Sequence, residues 1–390
     1  MQEQIAELHR VEAATATRRS LPGGRGIRSI NASRRLKAAA YLLAWVVPLL
    51  IPVGYMLDVT CLATVTFFVV FPVLGWIVGQ DQTATEATSA LFKWERAYYK
   101  AVPLVYVPIA YVCLGYGAYV VMTDPMPIWS SVAMVFSMYV VAACATAVAH
   151  ELMHHREWID KCAARLLWGL TGYGWYQSEH WTHHAHAGDV VIGSTPCAGE
   201  SVYHFAWRNT FQGIRNARQW ERRYTFRSRY LAENGGLTMA IFLGMAWTLG
   251  WRGALLYAGL AVFCVFVVQV ITYIQHYGLE SQQAQTRGVQ VAWRDNCFVG
   301  NAMSLNINHH SHHHAAPSLP YYRLLTDASA PRLPASYALM FLVALVPRAW
   351  RALMDPRLAR FRRGEGPHYG GDGDTTAFSP RLQTGNGYSR

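Results

Sequence analysis

The stretch Ala145-Thr146-Ala147-Val148-Ala149-His150-Glu151-Leu152-Met153-His154 decides the fold, because an uncharged apolar run ends there in two imidazoles four residues apart. That run begins at Pro127. On a helix continuing out of it, His150 and His154 face the same way, one turn apart. They could serve one metal or two neighbouring ones, since neutral imidazole is a strong ligand for iron, zinc or copper. Two more clusters follow, His180-Trp181-Thr182-His183-His184 and His310-Ser311-His312-His313-His314. A further histidine, His276, closes the last long apolar run in Tyr273-Ile274-Gln275-His276-Tyr277-Gly278-Leu279. Histidines at the ends of apolar spans are hard to explain by packing alone.

Outward from that stretch, the 390 residues carry a formal charge of +11 and are 52% hydrophobic, but charge and apolar surface are segregated. Uncharged runs extend from Ala38 to Tyr55, Val59 to Gly79, Ala101 to Met122, Pro127 to Ala149, Gly236 to Trp251 and Gly253 to Ile274. A membrane-spanning helix needs roughly 20 such residues, and only Gly236 to Trp251 falls slightly short. Short connections at Asp58, Asp124 and Arg252 pair the runs into hairpins, while nearly every Lys and Arg lies in the long segments on the other side. The positive-inside rule then puts both termini and all histidine clusters in the cytoplasm. The expected protein is an all-α integral membrane protein. It has six transmembrane helices in three hairpins, at about 38–57, 59–80, 101–122, 127–149, 236–251 and 253–275, under a cytosolic histidine-rich cap.

Residues 1–37 read as a cytoplasmic arm, without the apolar core of a secretory signal, and 38–363 as the membrane domain. Residues 364–390, rich in Gly, Asp, Ser and Thr, read as a poorly ordered tail. The basic residues flank the spans, where they match anionic lipid headgroups, and no nucleic-acid recognition motif accompanies them. The seven cysteines form no Cys-x-x-Cys pair, so no fused rubredoxin, ferredoxin or zinc ribbon is expected, and electrons would come from a separate protein. No dinucleotide fingerprint or phosphate loop occurs.

Nine imidazoles exceed what one zinc takes, but suit two metals with four or five ligands each. Soluble di-iron bundles use four carboxylates with Glu-x-x-His pairs. Here the acids inside the clusters are Glu151 and Glu179, expected to hydrogen-bond ligand imidazoles rather than bind metal. His155, His186, His309 and His312 sit beside the motif positions and are expected to support the site or face solvent. His9, His204 and His368 stand apart, and Trp175, Tyr176 and Trp181 read as packing residues. A metal transporter would place histidines along the spans; here they gather at one end.

The chain resembles the bacterial membrane alkane 1-monooxygenase family, which includes the xylene monooxygenase hydroxylase subunits. The resemblance runs from about the first span to His368. It is carried by the three clusters, by Thr195-Pro196 and Gly199-Glu-Ser-Val-Tyr203, and by the His276-Tyr-Gly-Leu279 box. Ala330-Pro-Arg-Leu-Pro334 and Trp350-Arg-Ala-Leu-Met-Asp355 add to it. The clusters alone would equally fit membrane fatty-acid desaturases; the His276 box and the C-terminal segments favour the hydroxylases.

The resemblance implies a six-span bundle holding two iron ions, a non-haem di-iron centre. The implied ligands are His150, His154, His180, His183, His184, His276, His310, His313 and His314, with Glu151, Glu179, Gln275 and His312 as candidates to hydrogen-bond them. It also implies hydroxylation of a terminal methyl group on a hydrophobic substrate, first an n-alkane. A xylene-type alkyl-aromatic substrate, or fatty-acyl desaturation or hydroxylation, is the alternative. The donor would be a separate rubredoxin or ferredoxin with its reductase, and the location the bacterial inner membrane. The chain departs from the alkane enzymes in three places. Its second cluster has two residues rather than three between the first histidine and the pair, Gln275 replaces a Glu as in the xylene type, and His309 and His312 replace Arg and Asp. An apolar substrate tunnel is expected near Pro48, Tyr55, Phe71 and Trp76.

Overall fold

A computed structural model describes residues 35–80, 91–223, 229–280, 292–327 and 330–363. The expected C-terminal tail and all but the last residues of the N-terminal arm lie outside the described residues, as do His9 and His368. The described residues are helical, with two isolated β-bridges, Gln80 to Cys297 and Arg294 to Arg332. Four helical stretches are long and apolar enough to cross a membrane: Arg35–Met56, Lys93–Thr123, Ile128–Met153 and Tyr230–His276.

The first contains α1, Leu43–Met56, which ends at a tight turn where Asp58 adopts φ 55°. The chain then climbs through α2, Leu62–Val65, a π-turn at Thr66–Val70, and α3, Phe71–Val78. This second apolar helix is shorter than expected, ending before Gly79 (φ 86°). By contrast α4, Lys93–Thr123, begins earlier than the apolar run, because the Glu95 carboxylate accepts the Phe92 N–H at 2.8 Å and starts the helix among charged residues. Helix α5, Ile128–Met153, likewise outruns its apolar stretch and carries His150 out on its last turn.

The expected fifth and sixth spans form one helical element, α9, Tyr230–His276, interrupted at Gly250 (φ 67°, ψ −163°), a conformation open only to glycine. The chain doubles back there. Asn234 hydrogen-bonds Gln177 while Gln269 hydrogen-bonds Tyr173, and the Tyr257 hydroxyl reaches the carbonyl of Gly169, whose open side-chain position Leu237 fills. A straight helix would hold Asn234 and Gln269 about 50 Å apart, not beside one neighbouring turn.

The main core lies between α1, α4, α5 and the second leg of α9, filled by Val102, Tyr106, Met134, Val141 and Cys264. Outward faces present Val112, Trp129, Trp247, Leu255 and Val262, the pattern expected of a lipid-facing surface. At the histidine end, α6 (Trp158–Leu170), α7 (Tyr176–Ala185) and α8 (Val202–Arg223) fold over α5 and α9. The short α10 (Phe298–Met303) and α11 (His310–Ala315) complete this cap, with α12 (Tyr337–Ala344) and α13 (Pro347–Arg362). A second apolar cluster, including Tyr273, Tyr277, Met340 and Trp350, fixes these last helices to the end of α9.

Candidate metal centre

Each histidine reaches the centre from one of four helices. The last turn of α5 supplies His150 and His154, α7 supplies His180, His183 and His184, the end of α9 supplies His276, and α11 supplies His310, His313 and His314. These nine residues fall into two groups, in each of which the donor atoms lie within 4.8 Å of one another. One holds His150, His154, His180, His184 and His313; the other holds His183, His276, His310 and His314. The split follows helical phase. In each His-x-x-His-His cluster the i, i+4 pair shares one group, and the intervening histidine crosses to the other.

The donor chemistry fits a cation in each group. His180 Nε2 lies 2.9 Å from His150 Nε2, 3.1 Å from His154 Nε2 and 2.8 Å from His184 Nε2. His313 and His184 meet at 3.1 Å, as do His183 with His314 and His314 with His310. One imidazole nitrogen offers one hydrogen or one lone pair, so it cannot satisfy three such neighbours by hydrogen bonding. A metal bonded at about 2.1 Å to nitrogens at right angles would separate them by about 3.0 Å, which is the spacing seen. Burial pulls the His183 pKa down to about 4, and burial with neighbouring imidazoles holds His180, His184, His310, His313 and His314 well below the usual value. All are therefore neutral at pH 7, the form that binds metal.

The acids stand back from both groups. Glu179 accepts the Ser194 hydroxyl at 2.8 Å, and burial pushes its carboxyl up to about 7. Glu151 pairs with His155 at 2.9 Å and accepts the Tyr321 N–H at 2.9 Å. Burial lowers the His155 pKa, but its bonds to Asp160 and Glu151 outweigh that and raise it to about 10. Gln275 is buried, its backbone carbonyl accepting the Trp293 N–H at 2.7 Å, and His312 Nδ1 accepts the Leu325 N–H at 2.9 Å. His309 meets Asn301 at 3.3 Å, His186 bonds the Thr182 carbonyl on the surface, and His204 pairs with Glu200. None of these residues belongs to either donor group. Of the packing residues, Tyr176 stacks on the His180 ring at 5.0 Å, and Trp181 meets His154 edge-on.

A cavity runs from His150, His180, His183 and His310 down into the bundle. Its walls are mostly apolar: Val140, Ala143 and Ala147 of α5, Phe263 and Val267 of α9, and Phe67, Phe68 and Phe71 of the second apolar helix. Of the expected tunnel residues only Phe71 lines it. Trp76 faces outward at 84% exposure, and Tyr55 turns away to Asp124 at the opposite end of the bundle. Polar side chains not anticipated from the sequence also line the cavity, among them Tyr173, Asn209 and Gln269. The only trace of them was an amide inside an otherwise apolar run.

Residues 125–344 match the fatty acid desaturase family. Alkane 1-monooxygenase 1 of Pseudomonas aeruginosa is 28% identical over 327 residues, covering 77% of this chain and 83% of that protein. An alkane 1-monooxygenase of Acinetobacter baylyi is 27% identical over 311 residues, covering 75% and 76%. The hydroxylase component of the xylene/toluene monooxygenase of Pseudomonas putida is 26% identical over 216 residues, covering 53% of this chain and 58% of its own length.

Proposed function

The chain belongs to the fatty acid desaturase family, alongside the membrane alkane monooxygenases, and from that premise we propose that it hydroxylates the terminal methyl group of an n-alkane at a di-iron centre. The observation that carries this reading is the pair of all-imidazole donor groups at the head of an apolar cavity. His150, His154, His180, His184 and His313 would hold one iron, and His183, His276, His310 and His314 the other. Iron bound there would supply dioxygen activation: with two electrons and two protons, one oxygen atom enters the C–H bond and the other leaves as water.

The chain's own residues bind and orient. Along α5 the cavity lining stops at Val140, ten residues before His150, a depth of about 15 Å. Phe67 and Phe263 are the deepest lining residues on their helices, and the Thr64–Ser137 hydrogen bond supports a common level for Phe67 and Val140. At roughly 1.3 Å per carbon for a staggered chain, the depth suits about a dozen carbons with the methyl at the histidines. Apolar walls keep water from the reacting carbon and hold it near the metals.

The reversal at Gly250 and the Leu62–Val78 helix support six crossings in three hairpins, with residues 38–363 as one membrane domain flanked by arm and tail. The Lys and Arg distribution supports a cytoplasmic histidine face at a bacterial inner membrane. A separate rubredoxin or ferredoxin, fed by its reductase, would deliver the electrons. Product analysis in oxygen-18 gas tests the reading, with purified iron-loaded chain, a ferredoxin–reductase pair and offered octane, hexadecane, p-xylene and a fatty acyl ester. Labelled terminal alcohol from an alkane is the expected result. Labelled benzylic alcohol from xylene alone would move the protein to the aromatic branch, and an unlabelled alkene would make it a desaturase.

A further inference from the structure

An alkane offers nothing to a hydrogen-bond donor, yet a polar ledge interrupts the wall of the cavity. Asn209 Nδ2 donates to Gln269 Oε1 at 2.7 Å, and Gln269 Nε2 donates to the Tyr173 hydroxyl at 2.7 Å. The three side chains come from α8, α9 and the turn after α6, all line the cavity, and are 3%, 2% and 1% exposed. Buried polar groups cost free energy unless their hydrogen-bonding capacity is used. Here it is half used. Each amide NH2 carries two hydrogens and donates one, and the Tyr173 hydroxyl accepts from Gln269 while no acceptor takes its own hydrogen among the described residues. The ledge therefore has donors to spare and faces a cavity whose walls are mostly apolar.

Its position relative to the metal groups is fixed by helix geometry. Gln269 lies two turns before His276 on the same face of α9, about 10 Å along the axis. Tyr173 approaches from the other side, its ring 4.9 Å from Tyr176, which stacks on His180 at 5.0 Å. A chain whose methyl end meets the histidines would pass the ledge some eight bonds further along, at roughly 1.3 Å per bond.

Resting on the terminal-hydroxylase reading above, we propose that the Tyr173–Gln269–Asn209 ledge binds an oxygen acceptor carried by the substrate, so that the preferred substrate is a saturated chain with an ether, ester or hydroxyl oxygen about eight bonds from the oxidised methyl group. The ledge donates to that oxygen; the reaction at the methyl group is unchanged, taking dioxygen, two electrons and two protons and giving the alcohol and water. A plain alkane leaves the same donors unpaired, which is the source of discrimination.

The test is a competition in one vessel between dodecane and an ether of equal chain length with its oxygen eight bonds from a methyl end, using the full iron-loaded chain in nanodiscs. The readout is the ratio of the two labelled terminal alcohols, which does not depend on the fraction of active protein. The wild type should favour the ether at that end. Gln269→Leu and Tyr173→Phe, each checked for unchanged iron content, should lower the ratio roughly fivefold. Tyr173→Phe removes one hydroxyl and keeps the packing, so it decides the matter if the Leu variant does not fold. A wild-type preference for dodecane, or a ratio unmoved in iron-replete active variants, would overturn the ledge as a substrate contact and leave it a tie between helices. Absence of alcohol from either chain in the wild type would instead bring down the hydroxylase reading and the inference with it.

Discussion

His180 Nε2 stands within 3.1 Å of three other imidazole nitrogens, and that crowding makes single ligands easy to probe. Alanine at His180 or His276 should remove at least one iron per chain and abolish turnover, whereas alanine at His186 or His204, which point elsewhere, should leave both intact; metal analysis of the purified variants checks this. A second residue-scale outcome concerns Asp295. Burial raises its carboxyl to about 6, although the Cys297 and Tyr337 N–H groups bond it and favour the charged form. Because the folded pKa lies above the unfolded one, Asp295 contributes stability that is fully present below about pH 4 and lost as pH rises through about 6. The difference in unfolding temperature between wild type and Asp295→Asn should therefore drift in favour of the variant from pH 4 to pH 7. A constant difference would show that Asp295 does not titrate in that window.

Among the elements, α9 depends most on one residue. Gly250 reverses the chain in a conformation closed to side chains, so Gly250→Ala should cost about 1–3 kcal/mol and lower the unfolding temperature in detergent. Phe263 governs a different property. Its ring is held between Phe136 and Tyr139 at centroid distances of 5.5 and 5.7 Å, and Phe263→Ala should extend turnover to longer chains, read as product yield across an alkane series. These two cases show what the sequence made legible. Apolar runs and the i, i+4 spacing of His150 and His154 could be read directly, because helical period and donor type are local properties. The assignment of His183 and His313 across the two groups could not, since it depends on how α7 and α11 face each other. Nor could the inward turn of Phe67 and the outward turn of Trp76, because residues in an apolar run look alike until packing chooses a face. The early start of α4 was hidden for another reason: charged residues at a helix end obscure a boundary set by the Glu95 cap.

At the scale of the whole molecule, exposed arginines among the described residues give the cap a positive face, including Arg215, Arg218 and Arg222 of α8 and Arg360 and Arg362 of α13. An acidic protein donor should be steered to that face, so its second-order rate should fall as salt shortens the Debye length to about 8 Å at physiological strength and below. A small uncharged chemical reductant should show no such slope, and equal slopes would remove the electrostatic account. The turning away of Glu151 and Glu179 has a consequence for charge compensation. Both donor groups are made only of neutral imidazoles, so a divalent cation in each would bring four positive charges into the cap with no anion among its nine nitrogen donors. Carboxylate ligands would lower the potential by favouring the more highly charged oxidation state; neutral donors leave the ferrous form favoured. With metal bound, the same imbalance would draw in small anions, so azide or fluoride would act as inhibitors by supplying the negative charge that the protein withholds.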